Sequence, residues 1–253
     1  MYTIISFSPT GNTSHIAKLL ARQLDVKEVL ELEHVDPKQL ENEEHLILLF
    51  AIHAFNAPRT VKRFVRNLPK GLYKHISLIG VGCNTTWINH AASKDIKHIL
   101  QNKSYNIVVD EVMAMPLTMV MHFPDKLIQE QLEDADKDIH RISTMIKELV
   151  VSNRNIGLKS HVINFVGHAE SAGARMFGLE LHANSDCIKC GLCVKECPEK
   201  NISMTEDEKI KFAFKCSMCM RCIYNCPTKA ISPYVSRFLP LKGGYNIKDY
   251  IKK

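Results

Sequence analysis

Eight of the nine cysteines fall between Cys187 and Cys226, in two runs of the same design. "CIKCGLCVKECP" sets Cys187, Cys190, Cys193 and Cys197 at C-x2-C-x2-C-x3-C-P spacing, and "CSMCMRCIYNCP" repeats it with Cys216, Cys219, Cys222 and Cys226, 29 residues later. Three thiolates at successive spacings of three can wrap three corners of an iron–sulfur cube, and the fourth, ahead of a proline, reaches the cube of the other run. Structural zinc takes four ligands, usually two C-x2-C pairs or a Cys/His mix, and leaves the third and fourth cysteine of each run unused. Disulfides do not suit a cytosolic chain with this spacing. The doubled run therefore points to two 4Fe-4S clusters, one on Cys187, Cys190, Cys193 and Cys226, the other on Cys216, Cys219, Cys222 and Cys197.

Over residues 183–232 the sequence resembles bacterial two-cluster ferredoxins. The resemblance implies a small pseudo-twofold α+β module whose clusters lie close together and pass single electrons at low potential. Unlike the usual acidic ferredoxin, this segment carries 8 basic and 6 acidic residues.

Concentration of the cysteines at one end implies two domains, and residues 1–150 read quite differently. Short apolar runs near 2–7, 27–32, 45–52, 76–82 and 106–113 alternate with helical patterns near 13–24, 37–43, 58–68, 88–102 and 125–150. Such alternation predicts an α/β fold, a doubly wound five-stranded parallel sheet with helices on both faces. Asn12 or Thr13 can cap the first helix, Pro58 suits a first helical position, and Asp125 can cap the last. Ligands of such sheets sit beyond the carboxyl ends of the strands. The loops there are "SPTGNTS" (8–14), "HAFNAP" (53–58) and "GCNTTW" (82–87).

The first loop lacks the second glycine and the lysine of a P-loop. It also has only Gly11 of the dinucleotide fingerprint G-x-G-x-x-G, although Glu31 and Glu33 sit where a ribose-binding acid would be. A phosphate monoester suits it better. Ser8, Thr10, Thr13 and Ser14 offer hydroxyls, Asn12 an amide, Gly11 a close backbone approach, and the helix start a partial positive charge. FMN carries such a phosphate.

Residues 1–150 resemble flavodoxins, whose first loop reads S/T-x-T-G-x-T; Ser8, Thr10, Gly11, Asn12 and Thr13 match it. The resemblance implies FMN, its phosphate in this loop and its ring between the other two. His53, Ala54, Phe55 and Asn56 are then expected on one side of the ring, and Gly82, Asn84, Thr85 and Trp87 on the other, with Trp87, the single tryptophan, stacked on it. The second and third loops hold no Asp or Glu, which predicts a flavin less reducing than in acidic flavodoxins.

The remaining segments carry weaker signals. Residues 151–182 read as a connecting segment with a short helix near 168–178, and 233–253 as a basic strap with aromatics. Cys83 and the methionines of "VMAMPLTMVMHFP" are expected to pack, and the histidines form no i,i+4 metal pairs. No basic run with interleaved aromatics suggests nucleic acid, and the longest apolar stretch, 46–55, is about half a membrane span. A cytoplasmic location is expected.

Taken whole, the chain resembles flavodoxin–ferredoxin fusion proteins. The resemblance implies an electron-transfer flavoprotein that exchanges electrons with a redox partner protein or a small-molecule acceptor, or else a flavin-dependent reductase. The excess of basic residues toward the C-terminus favours an acidic partner, and a homodimer is left open.

Overall fold

A computed structural model describes residues 1–152 and 156–251. The expected segments 151–182 and 233–253 thus include residues 153–155 and 252–253, which lie outside the described residues.

The first part runs β1 (Tyr2–Phe7), α1 (Asn12–Gln23), β2 (Val29–Glu31), β3 (Glu43–Ala51), α2 (Arg59–Asn67), β4 (Tyr73–Gly82), α3 (Lys94–Gln101), β5 (Asn106–Ala114) and α4 (Asp125–Lys147). The strands pair in the order β2-β1-β3-β4-β5, all parallel. This is the flavodoxin-like doubly wound order, and its direction of winding reverses at β1 and β3. Strands such as "LILLF" are buried on both faces, which is why they read as unbroken apolar runs.

Two cores cover the sheet. One joins Ile4, Ile47 and Ile79 to α1 and α4; the other joins Phe7, Phe50 and Leu78 to α2 and α3. In α4 the buried stripe Ile128, Ala135, Ile139, Ile142, Ile146 follows the helical period.

Several local expectations differ from the structure. No helix forms at 37–43. Pro37 follows Asp36, whose carboxylate accepts the Lys38 N–H (3.0 Å), and the Gln39 N–H returns to the Asp36 carbonyl, so the segment is a turn. Only a 3-10 turn, Leu32–His34, precedes it. Gly11, not Asn12 or Thr13, stands at the start of α1, with φ 101°, and the Ser8 hydroxyl caps the helix by accepting the Ser14 N–H (2.9 Å). Pro58 and Pro124 each sit one residue before their helices, so Asp125 is the first helical residue rather than a cap.

The second part begins with α5 (Leu158–Glu180), one unbroken helix of 23 residues where a short one was expected. Then follow β6 (Leu181–Ala183), α6 (Leu192–Lys195), β7 (Ile202–Met204), β8 (Ile210–Phe212), α7 (Arg221–Tyr224), β9 (Ile231–Pro233) and α8 (Lys248–Ile251). Antiparallel pairs β6-β9 and β7-β8 frame a small α+β module around Phe177, Leu181, Met220 and Ile231. Among the described residues no helix is long and apolar enough to cross a membrane.

The C-terminal segment does pack across the molecule. Leu241, Tyr245 and Ile247 are buried in the α1/α4 core of the first part. Two further ties join the halves. Glu199, buried behind the first cysteine run, accepts from the Thr60 hydroxyl (2.9 Å) and pairs with Arg63 (3.3 Å) of α2. Arg221 pairs with Glu33 (2.5 Å) and donates to the carbonyls of Ser8 (2.9 Å) and Glu196 (3.2 Å). Glu33, one of the two acids placed for a ribose, is thereby spent on a domain contact.

Candidate functional site

A cleft of about 240 Å3 opens beyond the carboxyl ends of β1, β3 and β4. Its walls come from both halves of the chain. Pro9, Thr10, Asn12 and Thr13 form one end, and His53, Ala54, Phe55, Gly82 and Cys83 the floor. Met115–Met119, Glu170 and Ser171 of α5, and Ser217–Met220 of the second cysteine run close the rest.

The first loop leaves several donors unpaired. Among the described residues, the main-chain N–H groups of Gly11, Asn12 and Thr13 have no acceptor, as at any helix start. The Thr13 hydroxyl is buried and also without a partner. A buried hydroxyl left unpaired costs about 1–3 kcal/mol, so a ligand that accepts from it removes a penalty. No side chain fits at Gly11: a Cβ there would lie 2.8 Å from Ile247 Cγ2 of the C-terminal strap.

Not every matched residue of the loop is free for phosphate. The Asn12 side chain donates to the Pro116 carbonyl (2.8 Å) and accepts from the Tyr245 hydroxyl (2.6 Å), so it offers only its main-chain N–H. Ser8 is spent on the helix cap and on Arg221. Neither Ser8 nor Gly11 lines the cleft.

The second loop is a tight turn in which Ala54 and Phe55 both have positive φ, 48° and 58°, closed by paired hydrogen bonds between His53 and Asn56. Left-handed conformations in non-glycine residues cost about 1 kcal/mol or more each and persist only where neighbours impose them. Here the neighbour is α5. Asn56 is buried and exchanges hydrogen bonds with Asn164: its amide donates to the Asn164 carbonyl (3.0 Å), and the Asn164 amide donates to Asn56 Oδ1 (2.6 Å). At Gly167 a Cβ would fall 1.9 Å from the Ala54 carbonyl oxygen. Asn56 therefore shapes the turn instead of facing the cleft.

His53 lies at the junction of the two halves. Burial, reinforced by the Arg221 charge, holds its pKa down to about 4, so its ring is neutral, and its Nδ1 is buried without a partner.

The third loop is only half used. Gly82 and Cys83 line the cleft, but Asn84 folds into a turn that accepts the Thr86 N–H (3.1 Å), and Asn84 and Thr85 lie outside. Trp87 stays 46% exposed in the 3-10 turn Trp87–Asn89, and its carbonyl accepts the Ser160 hydroxyl of α5 (2.8 Å). It does not line the cleft.

Sequence reasoning names no lining residue outside the three loops, although 115–124 and 151–182 are the segments it leaves spare to wall a pocket. Arg59, Met115–Met119 and the α5 residues Glu170, Ser171 and Ala174 all line the cleft. Glu170 adds an acidic residue to the lining from outside the second and third loops, which hold none.

The cysteines sort into two cavities. Cys187, Cys190, Cys193 and Cys226 line one; Cys197, Cys216, Cys219 and Cys222 line the other. Each run thus sends its fourth thiol to the other's cavity. Main-chain N–H groups already aim at three of the sulfurs: Asn201 at Cys197 (3.2 Å), Met218 at Cys216 (3.3 Å) and Ala230 at Cys226 (3.3 Å). Such donors orient ligands and stabilise thiolate charge. Burial drives the Cys216 thiol up to about 12 and raises Cys219 and Cys222 as well, with neighbouring cysteines adding to it. Thiols of that kind ionise only when a metal centre takes the proton's place. Each set offers four thiols drawn from both runs, the donor count of a 4Fe-4S cube.

The three spaces adjoin in series. Cys219 and Met220 line both the cleft and the second cysteine cavity, and Arg221 and Cys222 line both cysteine cavities.

Comparison with known proteins agrees with this division. Residues 170–231 match the family model of the 4Fe-4S dicluster domain. A search of curated proteins returns no match. Among solved structures, an oxidised flavodoxin 2 from Bacillus cereus is 21% identical, with a TM-score of 0.43, covering 58% of this chain and 97% of that one. A flavodoxin from the domain Archaea is 17% identical (TM-score 0.38; 57% and 99% covered). The apo form of an NADH:FMN oxidoreductase is 15% identical (TM-score 0.41; 60% and 90% covered). The strand order of the sheet identifies the first fold independently of these scores. The first part thus has a flavodoxin-like fold, and residues 170–231 match a 4Fe-4S dicluster domain.

Proposed function

We propose that this chain is an electron-transfer iron–sulfur flavoprotein that binds FMN in the cleft and two 4Fe-4S clusters in the cysteine cavities. The observation that carries the reading is the double role of Cys219, a cluster-ligand candidate whose residue also lines the cleft that begins at the anion-binding loop. Clusters exchange single electrons and a flavin takes one or two, so the pair converts between one-electron and two-electron partners.

The residues have distinct tasks in this reading. The N–H groups of Asn12 and Thr13 and the Thr13 hydroxyl hold the phosphate, with Thr10 beside them. His53, Ala54 and Phe55, set by α5, and Gly82 with Cys83 bound the ring site. Neutral His53 donates or accepts a hydrogen bond there without adding charge. Cys187, Cys190, Cys193 and Cys226 hold one cluster; Cys197, Cys216, Cys219 and Cys222 hold the one nearer the flavin. Covalent linkage of the two domains removes a diffusional encounter. An external partner would meet the basic surface of residues 183–232, which favours an acidic protein. Eight reduced thiols require a reducing compartment, in keeping with a cytoplasmic location.

A second reading has an observation of its own. The cleft is walled by Met115–Met119 and by Glu170 and Ser171 of α5, which leaves space for a small molecule over the flavin, as a flavin-dependent reductase requires.

Anaerobic reconstitution with FMN, iron and sulfide tests the main reading. It requires one FMN and eight irons per chain, and flavin reduction by the chain's own reduced clusters that outpaces reduction by added free ferredoxin. A colourless flavin-free product, or a flavin reduced no faster by its own clusters, would sink it. Steady turnover of a small-molecule acceptor would instead establish the reductase.

A further inference from the structure

Helix α5 carries its polarity the reverse way round for a surface helix. The face turned to the protein holds Ser160, Asn164, Gly167, Ala174 and Gly178, with Phe177 alone among large apolar residues, all buried. The opposite face exposes Leu158 (80%), Val162 (55%), Phe165 (76%), Met176 (64%) and Leu179 (59%). With Ala169 and Ala172, also exposed, these residues step alternately by four and three along the whole helix. That is the seven-residue repeat of a coiled-coil seam, turned to solvent.

We propose that this face pairs with the same face of a second copy of the chain, antiparallel, about a twofold axis beside Ala169. The seam is palindromic in size. Leu158 of one copy meets Leu179 of the other, Val162 meets Met176, the large Phe165 meets the small Ala172, and Ala169 meets itself. A parallel pair would instead set Phe165 on Phe165 and leave the alanine stretch as a gap.

Charge supports the same direction. Antiparallel pairing brings Lys159, on one flank of the seam, opposite Glu180 of the other copy, whose half-buried carboxylate is held in place by the Ser236 N–H (2.8 Å) and hydroxyl (3.1 Å), twice by symmetry. The area is sufficient too. From their exposed fractions, the five large seam residues and Val166 offer roughly 700 Å2 per copy, beyond the apolar patch of an ordinary monomer and close to the ~800 Å2 each partner gives to a standard interface. A membrane surface is the poorer occupant. A helix lying on a bilayer keeps a cationic polar face beside its apolar one, whereas the polar face of α5 is occupied by its own protein. Pairing would also brace the wall that shapes the turn at Ala54 and Phe55. It rests on the α5 surface alone, independently of the cofactors.

Sedimentation of the reconstituted full chain at micromolar concentration, with carbodiimide crosslinking, tests the proposal. The expected particle has twice the 28.8 kDa of the chain, and the digest contains a Lys159–Glu180 crosslinked peptide. Those residues lie about 30 Å apart along one helix at 1.5 Å per residue, so only an antiparallel pair can join them. The double variant Phe165→Glu, Met176→Glu changes two exposed side chains and should sediment as a monomer with unaltered circular dichroism and cluster absorbance. Wild-type protein that sediments as a monomer overturns the proposal, whether or not it binds phosphatidylglycerol vesicles. So does a dimer that survives the double variant or forms no Lys159–Glu180 crosslink.

Discussion

The Tyr245 hydroxyl donates to Asn12 Oδ1 over 2.6 Å, which ties the last segment of the chain to its first loop. Asn12 in turn holds the Pro116 carbonyl, so one amide fixes three separate loops around the cleft. Tyr245→Phe leaves the amide oxygen without its donor in a buried setting. We expect a loss of about 1 kcal/mol in stability and several-fold weaker FMN binding, read by denaturant unfolding and flavin fluorescence titration. An unchanged affinity would mean that the strap does not set the loop.

Thr13→Val separates the anion role from the structural one by sign. It removes a buried hydroxyl that has no partner, so the cofactor-free protein should be as stable as wild type or more stable by up to about 1 kcal/mol. FMN affinity should fall about tenfold or more, since a hydrogen bond to a charged phosphate is lost. A fall in both quantities would point to a merely structural hydroxyl.

Gly167→Val drives a side chain into the Ala54 carbonyl, and the overlap cannot be relieved by a rotamer change. Helix α5 must lift from the turn that it imposes on Ala54 and Phe55. The expected outcome is at least tenfold weaker flavin binding with the cluster absorbance retained. Loss of the clusters alone, with flavin kept, would contradict it.

Glu199→Gln removes the charge that Arg63 of α2 and the nearby Arg59 face while keeping an acceptor for Thr60. A buried pair broken on one side costs about 1–3 kcal/mol. The loss should appear as a lower unfolding midpoint and as faster proteolytic release of the cysteine module from the sheet.

His45 gives the fold an acid limit. It is buried, shares a hydrogen bond with Ser77 (2.8 Å) and lies near His75; burial first, then the His75 charge, lowers its pKa from 6.5 to about 4. The unfolded imidazole takes a proton below pH 6.5 and the folded one only near 4, so stability is whole above 6.5 and falls as pH drops through that window. The expected loss is about 3 kcal/mol. Wild type and His45→Gln, unfolded in denaturant at pH 7 and at pH 4.5, should differ in slope by most of that amount.

The parallel sheet was readable because strands buried on both faces appear as unbroken apolar runs, and the clusters because thiol spacing is itself geometry. Helix α5 was not readable in the same way. Glycines at 167, 173 and 178 and an outward apolar stripe give it the look of a linker, and the small and polar inner residues Ser160, Asn164 and Gly167 make sense only beside the turn they grip. Trp87 was chosen for its chemistry, yet the turn of Asn84 and the contact with Ser160 carry it away from the cleft. Asn12 matched a loop pattern, but a partner more than two hundred residues distant had already claimed its amide.

That distant partner has a consequence for how the molecule is made. The strands of the sheet are synthesised long before Leu241, Tyr245 and Ile247 exist to finish its core. The same delay affects the cysteines, since the first cavity lacks a thiol until Cys226 emerges. Both cysteine cavities have all their thiols once Cys226 is made, whereas the loop at Asn12 waits for Tyr245, so the cleft is the last of the three sites to be set.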